Sequence, residues 1–584
     1  MTEKCLFFAL SCLAATALLI LAEKYILKTQ TKPKAAAALL VILPYLSGGF
    51  YAYLAPAVSA FLLCCLIAQY RKSGSLRLYL NETLAAVTAL LIAGALSPLW
   101  GADGGMSAYG AVKALPLVLY VLLLMQCDGA ERESAYALLP LCGAIMTLLC
   151  AVLRFVPAFE GYVTVNHRLA GFFEYPNAYA AFLLVCLAIS GTAKARPRFG
   201  AVIDALLVLG VFGSGSRTAF ALMLLLIPAM MIVRREKRYC VEGIAILALG
   251  FGLSYILGRL GSTVNAERYL TASVGASTFL GRLLYFKDAL PVIAQHPLGL
   301  GYWGYFATQG SFQTGVYTIS FVHNGLLQLL LDYGWLPAAL VVYALIRSFF
   351  SKSAGRTERF VMLVLLAHCM LDFDLQFTVM WLLLLLVSDV RRGKMRTLKR
   401  KSRPLLAAAC LLTLLGGWLG TADALYRFGA VDACLGVMPF HTQALEQKLV
   451  DADTVQEMDE ISERILALNE NSHLAHNAQA NVSLSQGNIT RMIEEKERAI
   501  AYDRYSLDEY CDYISKLCAV MQMYLSAGDD ASEQFCKNRL LSIPDMLSEL
   551  QSQTDALAWR ITDKPQLELP TEYKTAIDAL KDME

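Results

Sequence analysis

Long apolar runs follow one another along residues 1–421 of the chain. A transmembrane helix needs roughly 20 such residues, and the runs predict about 14 spans, each separated by a more polar segment. The predicted spans are 5–22, 35–50, 53–69, 82–98, 110–126, 135–153, 177–193, 199–213, 216–233, 240–257, 323–346, 358–371, 375–389 and 404–421. The pattern therefore predicts an all-α, polytopic membrane helical bundle of about 12–14 spans.

Two of these runs leave alternatives open. No small-residue cleavage site follows 5–22, so we interpret this run as the first transmembrane helix and not as a signal peptide. The stretch 358–389 fits either one kinked helix or a re-entrant pair.

Composition and charge divide the chain into two parts. The chain is 57% hydrophobic and only 17% charged, with a mean hydropathy of +0.50, whereas soluble domains carry about one quarter charged residues. Residues 1–420 hold 36 Lys and Arg against 19 Asp and Glu, and residues 421–584 hold 14 against 29. We predict a basic membrane body over 1–421 and an acidic, soluble, helical domain over 422–584.

Basic residues orient the body, because cytoplasmic loops retain Lys and Arg. Alternate loops are rich in them, from the loop with Arg71, Lys72 and Arg77 to the eight between Arg391 and Arg403. Between Trp100 and Tyr109, in the opposite set, there are none. The pattern predicts a multi-pass protein of a cytoplasmic membrane whose N-terminus, large loop 258–322 and C-terminal domain are extracytoplasmic.

The C-terminal domain shows helical periodicity with a repeat-like pattern. Residues 472–504 resemble one tetratricopeptide repeat, a helical hairpin of about 34 residues, although the usual first-helix aromatic and closing proline are missing. Residues 505–545 fit a second, degenerate copy with Gly528 in the turn and Pro544 after the second helix. The alternative is an unspecific helical bundle. A short helix is also predicted at Glu572–Lys581.

Long outer loops are where binding and chemistry usually lie. One predicted loop runs from Arg154 to Pro176 and the other is 258–322, in which Thr278–Ile293 has the periodicity of an amphipathic helix on a membrane surface. His323 follows the second loop and begins a span. A lone histidine there is more often structural, but His323 has Asn324 to fix its ring and Asp332 further along the helix.

Three arginines are predicted on the same outer face: Arg168, Arg217 and Arg282. Guanidinium groups bind phosphate oxygens in a forked geometry. Single interfacial arginines usually extend to lipid headgroups, but three in loops otherwise poor in arginine favour a shared anionic ligand.

His368 and Asp372 form a further predicted pair, because an i, i+4 spacing places both on one helix face. The carboxylate could hold the imidazole in one tautomer, or the two could form a purely structural pair.

Several signatures are missing from the sequence. We find no Walker loop, no dinucleotide fingerprint, no carboxylate pair typical of nucleotide-sugar transferases and no Cys/His cluster with zinc spacing. The 15 cysteines follow no metal or redox spacing, and a disulfide among the four in the C-terminal domain is one alternative to packing. The expectation is a reaction without metal, cofactor or nucleic acid, on an activated substrate.

These segments together resemble the O-antigen ligase/polymerase superfamily of envelope glycosyltransferases. The resemblance is carried by Arg168-Leu-Ala-Gly-Phe-Phe-Glu-Tyr-Pro176-Asn177, Ser216-Arg217, Gly281-Arg282 through Asp288-Ala289, His296-Pro-Leu-Gly-Leu-Gly301, His323-Asn324 with Asp332-Tyr333-Gly334, and His368 to Asp372. Phe286 stands where Trp is frequent, and Glu174 where Asn or Gly is frequent.

The resemblance implies a donor glycan on undecaprenyl pyrophosphate and a glycan, lipid or protein acceptor at the outer face of the membrane. Arg217 and Arg282, with Arg168, would bind the pyrophosphate, and His323 would act as the general base on the acceptor hydroxyl. Asn324, Asp332, His368 and Asp372 would support them. The C-terminal domain would hold an acceptor or a partner protein.

Three other functions remain open from sequence. A protein O-oligosaccharyltransferase is a close relative within the same class. A flippase for lipid-linked glycans would need charges near the bilayer midplane and internal repeat symmetry, whereas here the distinctive charges lie at the outer rim. A non-catalytic scaffold would leave the histidine and arginine arrangement unexplained.

Overall fold

The computed structural model describes residues 35–127, 129–192, 199–259 and 276–581, with a few isolated residues before 35. The predicted first span, 5–22, lies largely outside the described residues. The described part of the chain is about 75% helical with almost no strands, so the prediction of an all-α polytopic membrane protein is confirmed. It forms two compact units, 1–95 with 109–273 and 323–424, and 96–108 with 274–322 and 425–584.

The first unit is a helical bundle with a continuous apolar core. Six described helices are long and apolar enough to cross a membrane, and five apolar helices are shorter. The α-helices of this unit are Ala35–Ile42, Leu54–Ser73, Glu82–Leu96, Tyr109–Gln126, Gly129–Leu153, Pro157–Val163, Pro176–Thr192, Gly200–Ser214, Arg217–Arg234, Lys237–Arg259, Gly325–Tyr333, Trp335–Phe349, Arg356–Cys369, Thr378–Val387 and Ser402–Arg427.

Two predicted spans are interrupted. The run 323–346 is split at Gly334, which has φ +82°; a residue with a side chain is strained there. The stretch 358–389 forms helix Arg356–Cys369, a 3₁₀ turn at Asp374–Gln376 and helix Thr378–Val387. The interruption places the segment 370–377, with the polar residues Asp372, Asp374 and Gln376, at the end of the bundle.

One end of the first unit gathers Lys- and Arg-rich loops. Strand Leu76–Tyr79 pairs antiparallel with Met395–Leu398, which joins two of these loops. Arg132 donates hydrogen bonds to the carbonyls of Leu386 (3.0 Å) and Ser388 (3.1 Å). Loops that were predicted to lie on one side of the membrane therefore contact one another.

Two antiparallel helices, Pro176–Thr192 and Arg356–Cys369, run from the basic end of the bundle to the opposite end. Helix Pro176–Thr192 ends where the Thr192 and Thr357 hydroxyls lie 3.0 Å apart, and it begins where Asn177 bonds to Asp372 at 2.7 Å. A helix of 17 residues is about 25 Å long. Residues 176 and 372 are therefore separated from the basic end by most of the thickness of a bilayer core.

The second unit is assembled from three stretches of chain. Its α-helices are Ser277–Gln295, Gly304–Phe312, Val431–Val437, Thr442–Val450, Val455–Leu466, His473–Ser485, Ile489–Tyr502, Leu507–Ala527, Asp530–Gln553 and Thr571–Lys581. Gly487 (φ +73°) and Gly528 (φ +70°) make the turns of two helical hairpins, as expected for residues that adopt positive φ without strain. The two predicted hairpins and the terminal short helix are thus present, while the tetratricopeptide assignment stays a prediction.

Two details of this unit differ from the expectation. Pro544 lies inside helix Asp530–Gln553 and does not follow it. The predicted amphipathic helix is present as Ser277–Gln295, but Leu280 and Leu284 on it are buried against Tyr317, Ala558 and Ile561. Part of its apolar face therefore covers protein and is unavailable to a membrane.

The four cysteines of the C-terminal domain are all free thiols.

Candidate functional site at the polar end of the bundle

Arg168 is placed by a short hairpin. Strands Thr164–Val165 and Arg168–Leu169 pair across a two-residue turn in which Asn166 (φ +49°) and His167 (φ +58°) are left-handed. A two-residue turn of this kind matches the twist of the flanking strands and favours asparagine. The hairpin directs Arg168 toward the start of helix Pro176–Thr192 and the end of helix Gly200–Ser214.

The Arg168 guanidinium bridges those helices. Its Nε donates to the carbonyl of Ser214 at 2.7 Å, and its Nη2 donates to Asn177 Oδ1 at 2.8 Å. Ser214 ends helix Gly200–Ser214, two residues before Ser216 caps helix Arg217–Arg234 by accepting a hydrogen bond from the amide of Ala219. Arg168 therefore stabilises the turn that presents Arg217.

Asp372 accepts hydrogen bonds from two residues of the motif after Arg168. Tyr175 Oη donates to its Oδ1 at 2.8 Å, and Asn177 Nδ2 donates to its Oδ2 at 2.7 Å. The Asp372 side chain is fully buried. Since a buried carboxylate is costly without partners, these two bonds stabilise Asp372 and connect it through Asn177 to Arg168.

His323 reaches the same network through an aromatic side chain. The Tyr175 ring stacks on Phe373 with centroids 4.7 Å apart, and the Phe373 ring meets the His323 imidazole edge to face at 5.1 Å. His323 is half-buried. The structure thus brings Arg168, Asp372 and His323 of the predicted set to one end of the first unit, opposite the basic loops.

Asn324 acts on the backbone beside His323. Its Oδ1 accepts hydrogen bonds from the amides of Leu326 and Leu327, both at 3.0 Å, and its Nδ2 donates to the carbonyl of Met370 at 2.9 Å. This is an N-cap with an added link to the segment before Asp372. Asn324 therefore fixes the backbone at the start of helix Gly325–Tyr333, directly after His323. We correct the expectation that Asn324 orients the His323 imidazole directly.

The prediction that His368 and Asp372 share one helix face is wrong. Helix Arg356–Cys369 ends before Asp372, so the i, i+4 geometry does not exist. His368 Nδ1 lies 2.6 Å from Asp374 Oδ2, and both side chains are fully buried. Burial excludes the His368–Asp374 pair from contact with a large substrate, so we interpret this pair as structural.

Asp332 lies in a second polar cluster of the same unit. It accepts hydrogen bonds from Gln328 at 2.7 Å and Gln376 at 3.2 Å, while Lys113 donates to the carbonyl of Gln376 at 2.9 Å. These residues line a cavity of about 30 Å³ together with Phe373, enough for about one or two water molecules. Asp332 is thus joined to the segment that contacts His323.

Arg217 and Arg282 are both half-buried. Arg217 is the first residue of its helix in the first unit, and Arg282 is on helix Ser277–Gln295 in the second unit. The convergence of Arg282 with His323 therefore stays a prediction.

Sequence reasoning missed Tyr175, Asn177 and Lys113 as site residues. Tyr175 and Asn177 flank Pro176, which starts a helix, and proline is favoured at that position. Polar residues on both sides of a helix-starting proline, at the end of a predicted span, were the available signal. Lys113 gave a weaker one, as a cation inside a predicted span.

Comparison with known families matches part of the chain. A family model described as O-antigen ligase matches residues 202–343. The matched range contains Arg217, Arg282, His323, Asn324 and Asp332. A comparison with curated proteins gives no match.

Proposed function

We propose that this chain is a membrane glycan ligase or polymerase of the O-antigen ligase/polymerase superfamily, as the family match over residues 202–343 supports, and that it transfers or polymerises a glycan carried on undecaprenyl pyrophosphate. The observation that supports the proposal is the connected set Arg168, Asn177, Asp372 and His323. It lies at the end of the bundle away from the Lys- and Arg-rich loops. Since such loops are cytoplasmic, the site faces the extracytoplasmic side, where the lipid-linked donor would be presented.

The reaction breaks the bond between the first sugar and the pyrophosphate oxygen of the donor. His323 takes the proton from an acceptor hydroxyl as that oxygen attacks the anomeric carbon. The bonding electrons leave with the pyrophosphate, and Arg217 and Arg282 stabilise the negative charge that develops there. Arg168 holds the turn before Arg217 and adds a third guanidinium to the donor site.

The remaining polar residues hold this arrangement in place. Asp372 fixes Tyr175 and Asn177, Asn324 fixes the backbone beside the general base, and Asp332 with Lys113 packs beneath Phe373. A rigid scaffold of this kind matters because an error of about 1 Å in the placement of reacting groups can cost about 100-fold in rate. The second unit would bind the acceptor or a partner protein.

Donor binding by arginine is tested by lysine substitutions. Arg217→Lys and Arg282→Lys keep the charge but lose the forked contact, so the KM for the lipid-linked donor should rise in each. The exposed Arg539 of the C-terminal domain is a matched control, because Arg539→Lys should leave that KM unchanged. Unchanged donor KM in both site variants would contradict the proposed pyrophosphate contact.

The reaction type is tested in cells. Deletion of the protein followed by chain-length analysis of the surface glycan separates the two activities. Short unpolymerised units indicate a polymerase, and full-length lipid-linked chains that accumulate indicate a ligase. An unaltered surface glycan together with unaltered lipid-linked pools would contradict the proposal.

A further inference from the structure

Three helices of the second unit bring metal-ligating side chains to one point. His473 begins helix His473–Ser485, Asp503 follows helix Ile489–Tyr502, and Glu509 lies in the first turn of helix Leu507–Ala527. One ligand atom from each lies within 4.8 Å of the others. Because the three residues come from separate helices, their spacing in sequence resembles no metal motif.

The distances within this trio fit metal ligands better than hydrogen bonds. His473 Nδ1 lies 3.7 Å from Asp503 Oδ2 and 3.8 Å from Glu509 Oε1, beyond normal hydrogen-bond length. Ligand atoms at about 2.1 Å from a tetrahedral ion are about 3.5 Å apart. An ion between the three atoms, which all lie within 4.8 Å of one another, would therefore need the trio to contract. It would also share Glu509 Oε1 with the hydrogen bond of 2.5 Å that this oxygen accepts from Asn477 Nδ2.

The charges around the trio also favour a cation. Glu446 adds a third carboxylate that acts on His473. Lys496 Nζ lies 2.5 Å from both Glu509 Oε2 and Asp512 Oδ2, and Lys516 also pairs with Asp512. These two cations face the carboxylates of Asp503, Glu509, Asp512 and Glu446, which leaves an excess of negative charge near the imidazole.

Solvent access leaves room for further ligands. The side chains of His473 and Asp503 are 36% and 34% exposed, and that of Glu509 is 11% exposed. His473 Nδ1 itself is buried and makes no hydrogen bond, and three protein ligands leave a fourth position of a tetrahedral ion for water. Imidazole suits Zn²⁺ and carboxylates suit Mn²⁺, so a mixed set of ligands can bind either ion.

We propose that His473, Asp503 and Glu509 form a binding site for one divalent transition-metal ion that links the three helices of the C-terminal domain. The ion would pin the start of one helical hairpin to the start of the next. This site is separate from the transferase chemistry, and it stands or falls independently of the proposed function.

Mn²⁺ is the suitable probe, because the free cysteine thiols of this chain compete for Zn²⁺ much more strongly than for Mn²⁺. Purified full-length protein is freed of metal with a chelator and titrated with Mn²⁺, and unbound Mn²⁺ is followed by electron paramagnetic resonance. We expect one tight site per chain. Binding should weaken as the pH falls, because a protonated imidazole cannot be a ligand.

Two substitutions on different helices and one control complete the test. His473→Gln and Asp503→Asn should each lower Mn²⁺ affinity at least about tenfold, since even the loss of an outer-shell partner costs about 10- to 100-fold. His296→Gln changes an exposed histidine in the same unit and should bind like wild type. Circular dichroism confirms that the variants are folded. Equal Mn²⁺ affinity in wild type and both trio variants, or no tight site in wild type, would overturn the proposal and leave an ion-paired histidine.

Discussion

The side chain of Asn177 donates a hydrogen bond of 2.7 Å to Asp372, across 195 residues of sequence. The same amide group accepts a hydrogen bond from Arg168. Asn177 is therefore the residue through which a buried carboxylate positions a guanidinium at the candidate donor site.

Asn177→Ala should weaken both stability and donor use. The substitution leaves Asp372 and Arg168 each without one partner, and an unsatisfied buried polar group costs about 1–3 kcal/mol. Because Arg168 then loses its orientation, the KM for the lipid-linked donor should rise. Thermal unfolding and donor kinetics of the purified protein measure the two effects.

Asn81 supplies the control for this prediction. Its side chain donates to the carbonyls of Val390 (2.8 Å) and Arg392 (3.3 Å) at the basic end of the same unit. Asn81→Ala should lower the unfolding temperature similarly but leave the donor KM as in wild type. If both variants changed donor KM equally, the effect at Asn177 would be general destabilisation.

The buried pair of His368 and Asp374 should matter for stability. Removal of one partner from a buried charged or strongly hydrogen-bonded pair costs about 3–5 kcal/mol, so His368→Ala should lower the unfolding temperature markedly. The double variant His368→Leu with Asp374→Leu should recover part of the loss, because apolar residues of similar size leave no polar group unsatisfied. A double variant less stable than His368→Ala would argue against a purely structural pair.

Asp103 should make the second unit sensitive to pH. Burial raises the pKa of this carboxyl to about 7, even though hydrogen bonds from Thr442 and the amides of Met106 and Gly105 act to lower it. An unfolded aspartate titrates near 3.9, so the folded state binds the extra proton between about pH 4 and 7. The contribution of Asp103 to the free energy of unfolding should therefore be largest below about pH 4 and should decrease as the pH rises to about 7.

Asp103→Asn isolates that contribution. Asparagine keeps the oxygen that accepts from Thr442 at 2.7 Å but has no charge to bury. Between about pH 4 and 7 the unfolding temperature of Asp103→Asn should rise relative to that of wild type. Above about pH 7 the difference should stay constant. A difference independent of pH would show that the Asp103 carboxyl is not held neutral by folding.

The sequence predicted the architecture because apolar length and loop charge act locally. Each span needs only its own residues to be recognised, and Ser216-Arg217 and Gly528 mark a helix start and a turn by residue type. The site was harder to predict because its contacts are long-range. Whether Asp372 bonds to His368 or to Asn177 depends on where the helix ends. It ends at Cys369, but the apolar periodicity continues to residue 371 and predicts a longer helix.

The trio of His473, Asp503 and Glu509 shows the same limit. Nothing at positions 473, 503 or 509 is unusual locally, and only the packing of three helices brings them together.

Gly334 was a partial signal for the interruption of the predicted span 323–346, because a glycine within a span permits the positive φ found there.

The most direct test of the central claim is glycan transfer by His323→Gln. The protein is purified with its wild-type counterpart, and single-turnover transfer from a lipid-linked glycan is measured together with donor affinity. Loss of a general base should lower the transfer rate about 10²–10⁴-fold while donor affinity and unfolding temperature stay near wild type. Transfer at the wild-type rate by folded His323→Gln would contradict the assignment of His323 as the base and with it the proposed mechanism.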